Sequence, residues 1–250
     1  MSNALVIIPT YNEKENIHDM IHEVFSLPKS FHLLIVDDGS PDGTAQVVKE
    51  LQKKFNTSEV KLHLIERSRK LGLGTAYITG FRFAFDKHYE YVLEMDCDFS
   101  HNPKDLIRLL AACEEGGYDL AVGSRYSNGV NVVNWPMSRV LMSYFASKYV
   151  RFITRMPIHD TTAGFVCYRK TVLQSIHLEN IKFIGYAFQI EMKFLAWKYK
   201  FKLTEVPIIF TDRTRGQSKM SAGIFKEAVL GVLLMTVHSW FKNYAKAGLM

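Results

Sequence analysis

The 250 residues are 48% hydrophobic and 22% charged, and 31 basic against 25 acidic side chains give a formal net charge of +6. That composition excludes a disordered chain and leaves enough apolar material for a sizeable core. The basic surplus suits phosphate-bearing partners, yet the cations are interspersed rather than grouped on an aromatic platform, which argues against a nucleic acid polymer.

The first apolar run, Ala4–Ile8, is too short for a signal peptide and reads as a strand. Further strands are expected at Leu33–Asp37, Val60–Ile65, Tyr91–Met95 and Asp119–Gly123. Amphipathic helical stretches alternate with them at Glu13–Phe25, Asp42–Phe55, Thr75–Asp86 and Pro103–Glu114. Apolar strands interleaved with helices predict an α/β fold with a mostly parallel sheet covered on both faces. The second half is less regular. A helix is expected from Pro136 to about Arg155, then a strand at Phe165–Tyr168, a helix at Ala187–Trp197 and a strand at Leu203–Phe210. A basic loop, Asp212–Lys219, precedes a last helix from about Ala222 to Trp240. The run Ala228–Val237 is about half of the ~20 residues needed to span a bilayer, so no transmembrane segment is expected. The three cysteines form no CxxC pair, which argues against a disulfide framework or a cysteine zinc site and fits a reducing compartment. No linker or internal repeat divides the chain, which reads as one domain over residues 1–250.

In parallel sheets of this kind ligands bind beyond the carboxyl ends of the strands. Four strand ends here run into polar residues: Pro9-Thr10-Tyr11-Asn12-Glu13, Asp37-Asp38-Gly39-Ser40, Asp96-Cys97-Asp98 and Ser124-Arg125. Asp96-Cys97-Asp98 sits where the strand stops, and since residues two apart in a strand point the same way, both carboxylates are expected to face one side at its end. Two hard oxygen ligands there suit Mg²⁺ or Mn²⁺ and a diphosphate; a helix cap ahead of Pro103 is the plainer use of the same acids. The neighbouring carboxylates Asp37 and Asp38 repel, so a ligand or a basic partner is expected close by. Arg67, Arg69 and Lys70 precede Leu71-Gly72-Leu73-Gly74, which matches neither a dinucleotide nor a P-loop fingerprint and reads as a plain loop. Arg125 and Arg139 are candidate phosphate clamps, and the cations of Asp212–Lys219 suit closure over a pyrophosphate. Within Arg139–Met156, Leu141, Phe145, Tyr149 and Phe152 share a helical face flanked by Lys148, Arg151 and Arg155. That pattern suits a membrane-interface helix as well as a core helix with a solvated rim.

Taken in order, these motifs resemble the family-2, GT-A-type glycosyltransferases, and more narrowly the dolichol- or polyprenol-phosphate mannose synthases. The resemblance is carried by Ile8–Glu13, Val36–Thr44, Met95–His101, Gly123–Tyr126, Asp160–Phe165, Gly185–Glu191 and Asp212–Lys219. It implies a GT-A-like domain with C-terminal interface helices, a nucleotide-binding half over about 1–125 and an acceptor half over about 126–250. It further implies inverting transfer of mannose from GDP-mannose to a polyisoprenyl (dolichyl) phosphate. By position, Pro9, Tyr11, Glu13, Val36 and Asp38 would contact the nucleotide, and Asp96 and Asp98 would organise metal and diphosphate. Arg125 and Arg139 would hold the acceptor phosphate, while Arg213 and Lys219 would lie over the donor diphosphate. Asp160 is the spare carboxylate for a base or for orienting the sugar. The chain would work in the cytoplasm, peripherally on the cytoplasmic membrane face, by its basic amphipathic segments or an anchoring partner. A relative using UDP-glucose or another donor, with a lipid-phosphate or hydroxyl acceptor, and a catalytically silent nucleotide-binding module are the alternatives.

Overall fold

The computed structural model describes residues 2–185, 187–213 and 222–245, with side chains left out of account at 222–228. Its chain order is β1 (Ala4–Thr10), α1 (Lys14–Phe25), β2 (His32–Asp37), α2 (Thr44–Phe55), β3 (Leu62–Glu66), α3 (Leu73–Asp86), β4 (Tyr91–Glu94), α4 (Asp105–Glu114) and β5 (Leu120–Ser124). There follow β6 (Val132–Val133), α5 (Met137–Thr154), β7 (Val166–Arg169), α6 (Lys170–Ser175), α7 (Ala187–Lys198), β8 (Leu203–Pro207), β9 (Phe210–Thr211) and α8 (Ala222–Ser239).

Seven strands form one sheet in the order β3-β2-β1-β4-β7-β5-β8. All neighbours are parallel except β7, which runs antiparallel to both β4 and β5. Burial on both faces explains why the central strands read as continuous apolar runs: successive side chains feed opposite layers. On β1, Ala4, Val6 and Ile8 join one core with α1, α2 and α4, while Leu5 and Ile7 join the other with α3 and α7. The contact of α3 with β1 is close enough to require glycine at position 80, where a Cβ would stand 2.6 Å from Ile7 Cδ1. A third cluster, Val150, Met156, Ile190, Phe194 and Val232, seats α5 and α8 on α7.

Two expectations are corrected. The strand expected over Leu203–Phe210 is two: β8 ends at Pro207, and Phe210 instead donates its N–H to Asn131 O at 3.0 Å, where β9 pairs with β6. Strand β4 ends at Glu94, so the Asp96-Cys97-Asp98 triplet lies in the turn beyond it, and strand alternation is not what aligns its carboxylates. The chain reverses there through Phe99, at φ 59°, and Asp98 Oδ1 accepts the Ser100 N–H at 3.0 Å. The short helix α6 and the β6–β9 pair carry too few residues to show a period, and the sequence reading passed over both. Among the described residues, no helix is long and apolar enough to cross a membrane.

Candidate active site at the carboxyl edge of the sheet

The parallel strands β1, β2 and β4 end on one edge, and their following loops carry the acids. Asp37 builds the turn there. It accepts Thr10 Oγ1 at 2.8 Å, Ser40 N at 2.9 Å and Ser40 Oγ at 2.6 Å, and Gly39 supplies the positive φ of 71°. Asp38 has the basic partner expected of two adjacent carboxylates: Arg67 Nε donates to its Oδ1 at 2.6 Å, and the Leu71 N–H donates to Oδ2 at 3.3 Å. Arg67 also donates to Thr75 Oγ1 at 2.7 Å, so the loop read as plain is a strut between Asp38 and the start of α3. Pro9 and Val36 are register partners on β1 and β2. Tyr11 lies 5.0 Å from the Lys70 ammonium, and Glu13 accepts the Asn16 side-chain amide at 3.0 Å.

Beyond β4, Asp98 is buried and pairs with Arg213 at 3.1 Å. Burial pushes the Asp96 carboxyl up to about 7, with the Asp98 charge adding to the rise and Arg213 opposing it. Glu13, in the loop after β1, and Arg125, at the end of β5, also act on Asp96, the first raising its carboxyl and the second lowering it. Below them His101 is stacked on Phe165 at 4.8 Å, and burial holds its imidazole down at about 4, hence neutral.

Arg213, Asp212, Arg139, Trp135, Arg125 and Asp160 form a linked series. Arg213 N–H donates to Asp212 Oδ1 at 3.1 Å, and the same oxygen accepts Arg139 Nη1 at 2.8 Å. The Arg139 guanidinium lies 4.1 Å from the centre of the Trp135 ring, and Arg125 lies 5.5 Å from the same ring on the far side of the series. Arg125 in turn grips Asp160 by Nε to Oδ2 at 2.7 Å and Nη2 to Oδ1 at 2.6 Å, with its backbone N–H on Oδ2 at 2.9 Å. Burial works to raise the Asp160 carboxyl, but Arg125 outweighs it and holds the group below its ordinary value. Asp160 is therefore not spare: both oxygens are committed to a bidentate pair. Lys219 lies outside the described residues.

A second polar system lies beneath the site, and the sequence reading missed it. Lys193, fully buried on α7, donates to Ala163 O at 2.6 Å, Gln189 O at 3.0 Å and Gln189 Oε1 at 3.4 Å. Gln189 Nε2 donates to Glu94 Oε2 at 2.9 Å. Burial drives Glu94 up to about 8 and Lys193 down to about 8. The network ties the end of β4, two residues before Asp96, to the loop that presents Asp160.

The sequence profile of the family described as Glycosyl transferase family 2 matches residues 5–176. The chain belongs to glycosyl transferase family 2. Within the family's curated relatives it is 44% identical over 229 residues to a polyprenol monophosphomannose synthase of Mycolicibacterium smegmatis, covering 92% of this chain and 85% of that protein. It is 40% identical over 229 residues to an undecaprenyl-phosphate mannosyltransferase of Micrococcus luteus, covering 92% of each. Among solved structures, glucosyl-3-phosphoglycerate synthase from Mycobacterium tuberculosis, in complex with Mn²⁺, UDP-glucose and phosphoglyceric acid, superimposes with a TM-score of 0.66 at 15% identity. That superposition covers 96% of this chain and 80% of the other, and shows that the family 2 chain shares its fold.

Proposed function

We propose that the chain transfers mannose from GDP-mannose to a polyisoprenyl (dolichyl) phosphate, with inversion at the anomeric carbon. The two relatives named for mannosyl transfer to polyprenyl phosphates support this acceptor class. The single observation that carries the reading is the commitment of Asp160 to Arg125. A hydroxyl acceptor needs a general base to take its proton, and the acid best placed by motif is held ionised in a buried pair with its oxygens occupied. A phosphate monoester has its second pKa near ~6 and reaches neutral pH largely as a dianion, so it needs cations and alignment rather than a base.

The roles follow. The phosphate of the acceptor binds between Arg139 and Arg125, with Asp160 fixing the plane of the Arg125 guanidinium. A phosphate oxygen forms the new bond to the sugar's anomeric carbon as the bond to GDP breaks and GDP carries away the electron pair. Arg213 exchanges Asp98 for the donor diphosphate, and Lys219 joins it there. Pro9, Tyr11, Glu13, Val36 and Asp38 line the nucleotide side. Asp96 and Asp98 would hold Mg²⁺ or Mn²⁺, and the rise of Asp96 to about 7 fits a carboxylate pair built to share a cation. When bound, the ion supplies charge neutralisation for the departing diphosphate. The acceptor's isoprenoid tail keeps it in a bilayer, so the chain works as a peripheral enzyme on the cytoplasmic face, alone or with an anchoring partner.

Titration calorimetry with GDP-mannose and UDP-glucose in the presence of Mn²⁺ tests the donor. Tighter binding of GDP-mannose is expected; preference for UDP-glucose would replace mannose and GDP by the alternative donor.

A further inference from the structure

Helix α5 is 18 residues long, about 27 Å at 1.5 Å per residue, and residues 137–154 contain no acid. Its outer face carries Met137, Leu141, Phe145 and Phe152, a helical stripe of which Phe145 is 62% and Phe152 66% exposed. The described side chains of α8 add Leu230, Leu234 and Val237, and just past its end Trp240 and Phe241 are 70% and 84% exposed. The two helices are joined by Tyr149 Oη donating to Val229 O at 3.0 Å. Where they part, a cavity of about 420 Å³ opens, lined among others by Phe152, Arg155, Trp197, Lys198 and Trp240. A second cavity of about 500 Å³ shares Phe152 and Arg155 and adds Lys148 and Arg151. Among the described residues, no acidic side chain lines either. Among the described residues none of these four cations has a carboxylate partner within 4.0 Å. Three of them lie over rings instead: Lys148 5.2 Å from Tyr144, Arg155 5.0 Å from Phe152 and Lys198 5.8 Å from Trp197.

Exposed aromatics of this extent are costly in water, and four cations without counter-charges repel one another. One kind of partner relieves both at once. An anionic phospholipid brings a phosphodiester to the cations and acyl chains to the aromatic stripe, with Trp240 at the level where indoles favour the interface. We propose that the cleft between α5, α7 and α8 is a headgroup site for an anionic phospholipid, with α5 and α8 lying in the bilayer interface around it. This rests on the lipid-phosphate reading only for its purpose. Arg139 sits near the other end of α5, so a flat α5 brings the acceptor end of the active site to headgroup level.

Flotation of the full chain with vesicles of phosphatidylcholine, with and without phosphatidylglycerol, tests it. Each cation near an anionic surface changes partitioning about fivefold, so Arg155→Ala with Lys198→Ala lowers binding to the anionic vesicles about 25-fold. Arg155→Lys with Lys198→Arg retains binding, which separates charge from packing, and Phe152→Ser with Trp240→Ser weakens binding to both vesicle types. Transfer to a short, water-soluble polyprenyl phosphate stays unchanged in the Arg155→Ala, Lys198→Ala chain. Equal wild-type binding to both vesicle types overturns the proposal, as do wild-type binding by the double alanine variant and binding to neither type with a self-associated chain in solution. Absent transfer to the short acceptor with anionic-vesicle binding intact would defeat the proposed reaction and leave the headgroup site standing.

Discussion

The carboxyl edge of the sheet and the α5–α8 face handle charge in opposite ways. At the edge, charges are matched within the chain: Asp38 with Arg67, Asp160 with Arg125, Asp212 with Arg139 and Asp98 with Arg213. On the helical face, cations stand beside exposed aromatics, and among the described residues no acid lines the cavities between them. The difference is where the counter-charge comes from. Ion pairs at the edge hold the site's geometry within the chain, and in the proposed reaction Arg213 and Arg139 exchange a carboxylate for a phosphate. Under the proposed headgroup site, the counter-charge of the helical face comes from outside the chain.

The largest expected effect strikes the edge. Asp98→Ala lowers transfer by about 10³-fold, in line with losing a principal electrostatic contact in a transition state. Thermal unfolding should show the fold retained. Near-normal turnover in the presence of metal would remove Asp98 from the chemistry.

Next comes the buried brace. Lys193→Met leaves Ala163 O without its donor and Glu94 without a nearby cation, at a cost of about 3 kcal/mol by urea unfolding. Adding Glu94→Gln recovers part of that loss, because no carboxyl is then left to ionise beside the missing cation. A stable single variant would mean that the interior does not depend on this pairing.

Arg139→Ala is smaller and more selective. Losing a charged hydrogen bond to the acceptor phosphate raises acceptor KM roughly 30-fold. Donor binding by calorimetry changes little, and an equal loss for donor and acceptor would blur the division between the two sides of the cleft.

The smallest effect is a pH dependence remote from the cleft. Burial holds His63 down at about 4 from an ordinary 6.5, helped by His32 and Lys87. The folded chain thus favours the neutral ring. Its contribution is whole above about pH 6.5 and drains as pH falls toward 4, because the unfolded chain takes up the proton first. His63→Phe should narrow the fall in Tm between about pH 7 and pH 5; an unchanged slope would assign the acid sensitivity elsewhere.

Much of the edge was legible because period and punctuation coincide there. Apolar runs such as Ala4–Ile8 stop at Pro, Gly and Asp, and the strand order then gathers those stops. Pairings between distant loops were not legible. Asp160 and Arg125 are 35 residues apart, and nothing local marks one as the other's partner, so Asp160 read as spare. Lys193 was hidden for a different reason. It sits on α7, where both faces are buried, so no amphipathic period set it apart as an interior cation. Glu94 carried the one signal that was available, an acid inside the apolar run Tyr91–Met95. The α5 stripe was visible as a pattern, but the pattern is equally that of a packed helix. Only the exposure of Phe145 and Phe152 separates the two.

The central claim is that a phosphate, rather than a hydroxyl, receives the sugar. Mass spectrometry of products from GDP-mannose with Mn²⁺ and an equimolar mixture of a short polyprenyl phosphate and its parent alcohol tests it directly. The proposed reaction predicts mannosyl phosphoryl polyprenol as the product, with the alcohol unmodified. Mannosylated alcohol, or no product from either acceptor, would contradict it.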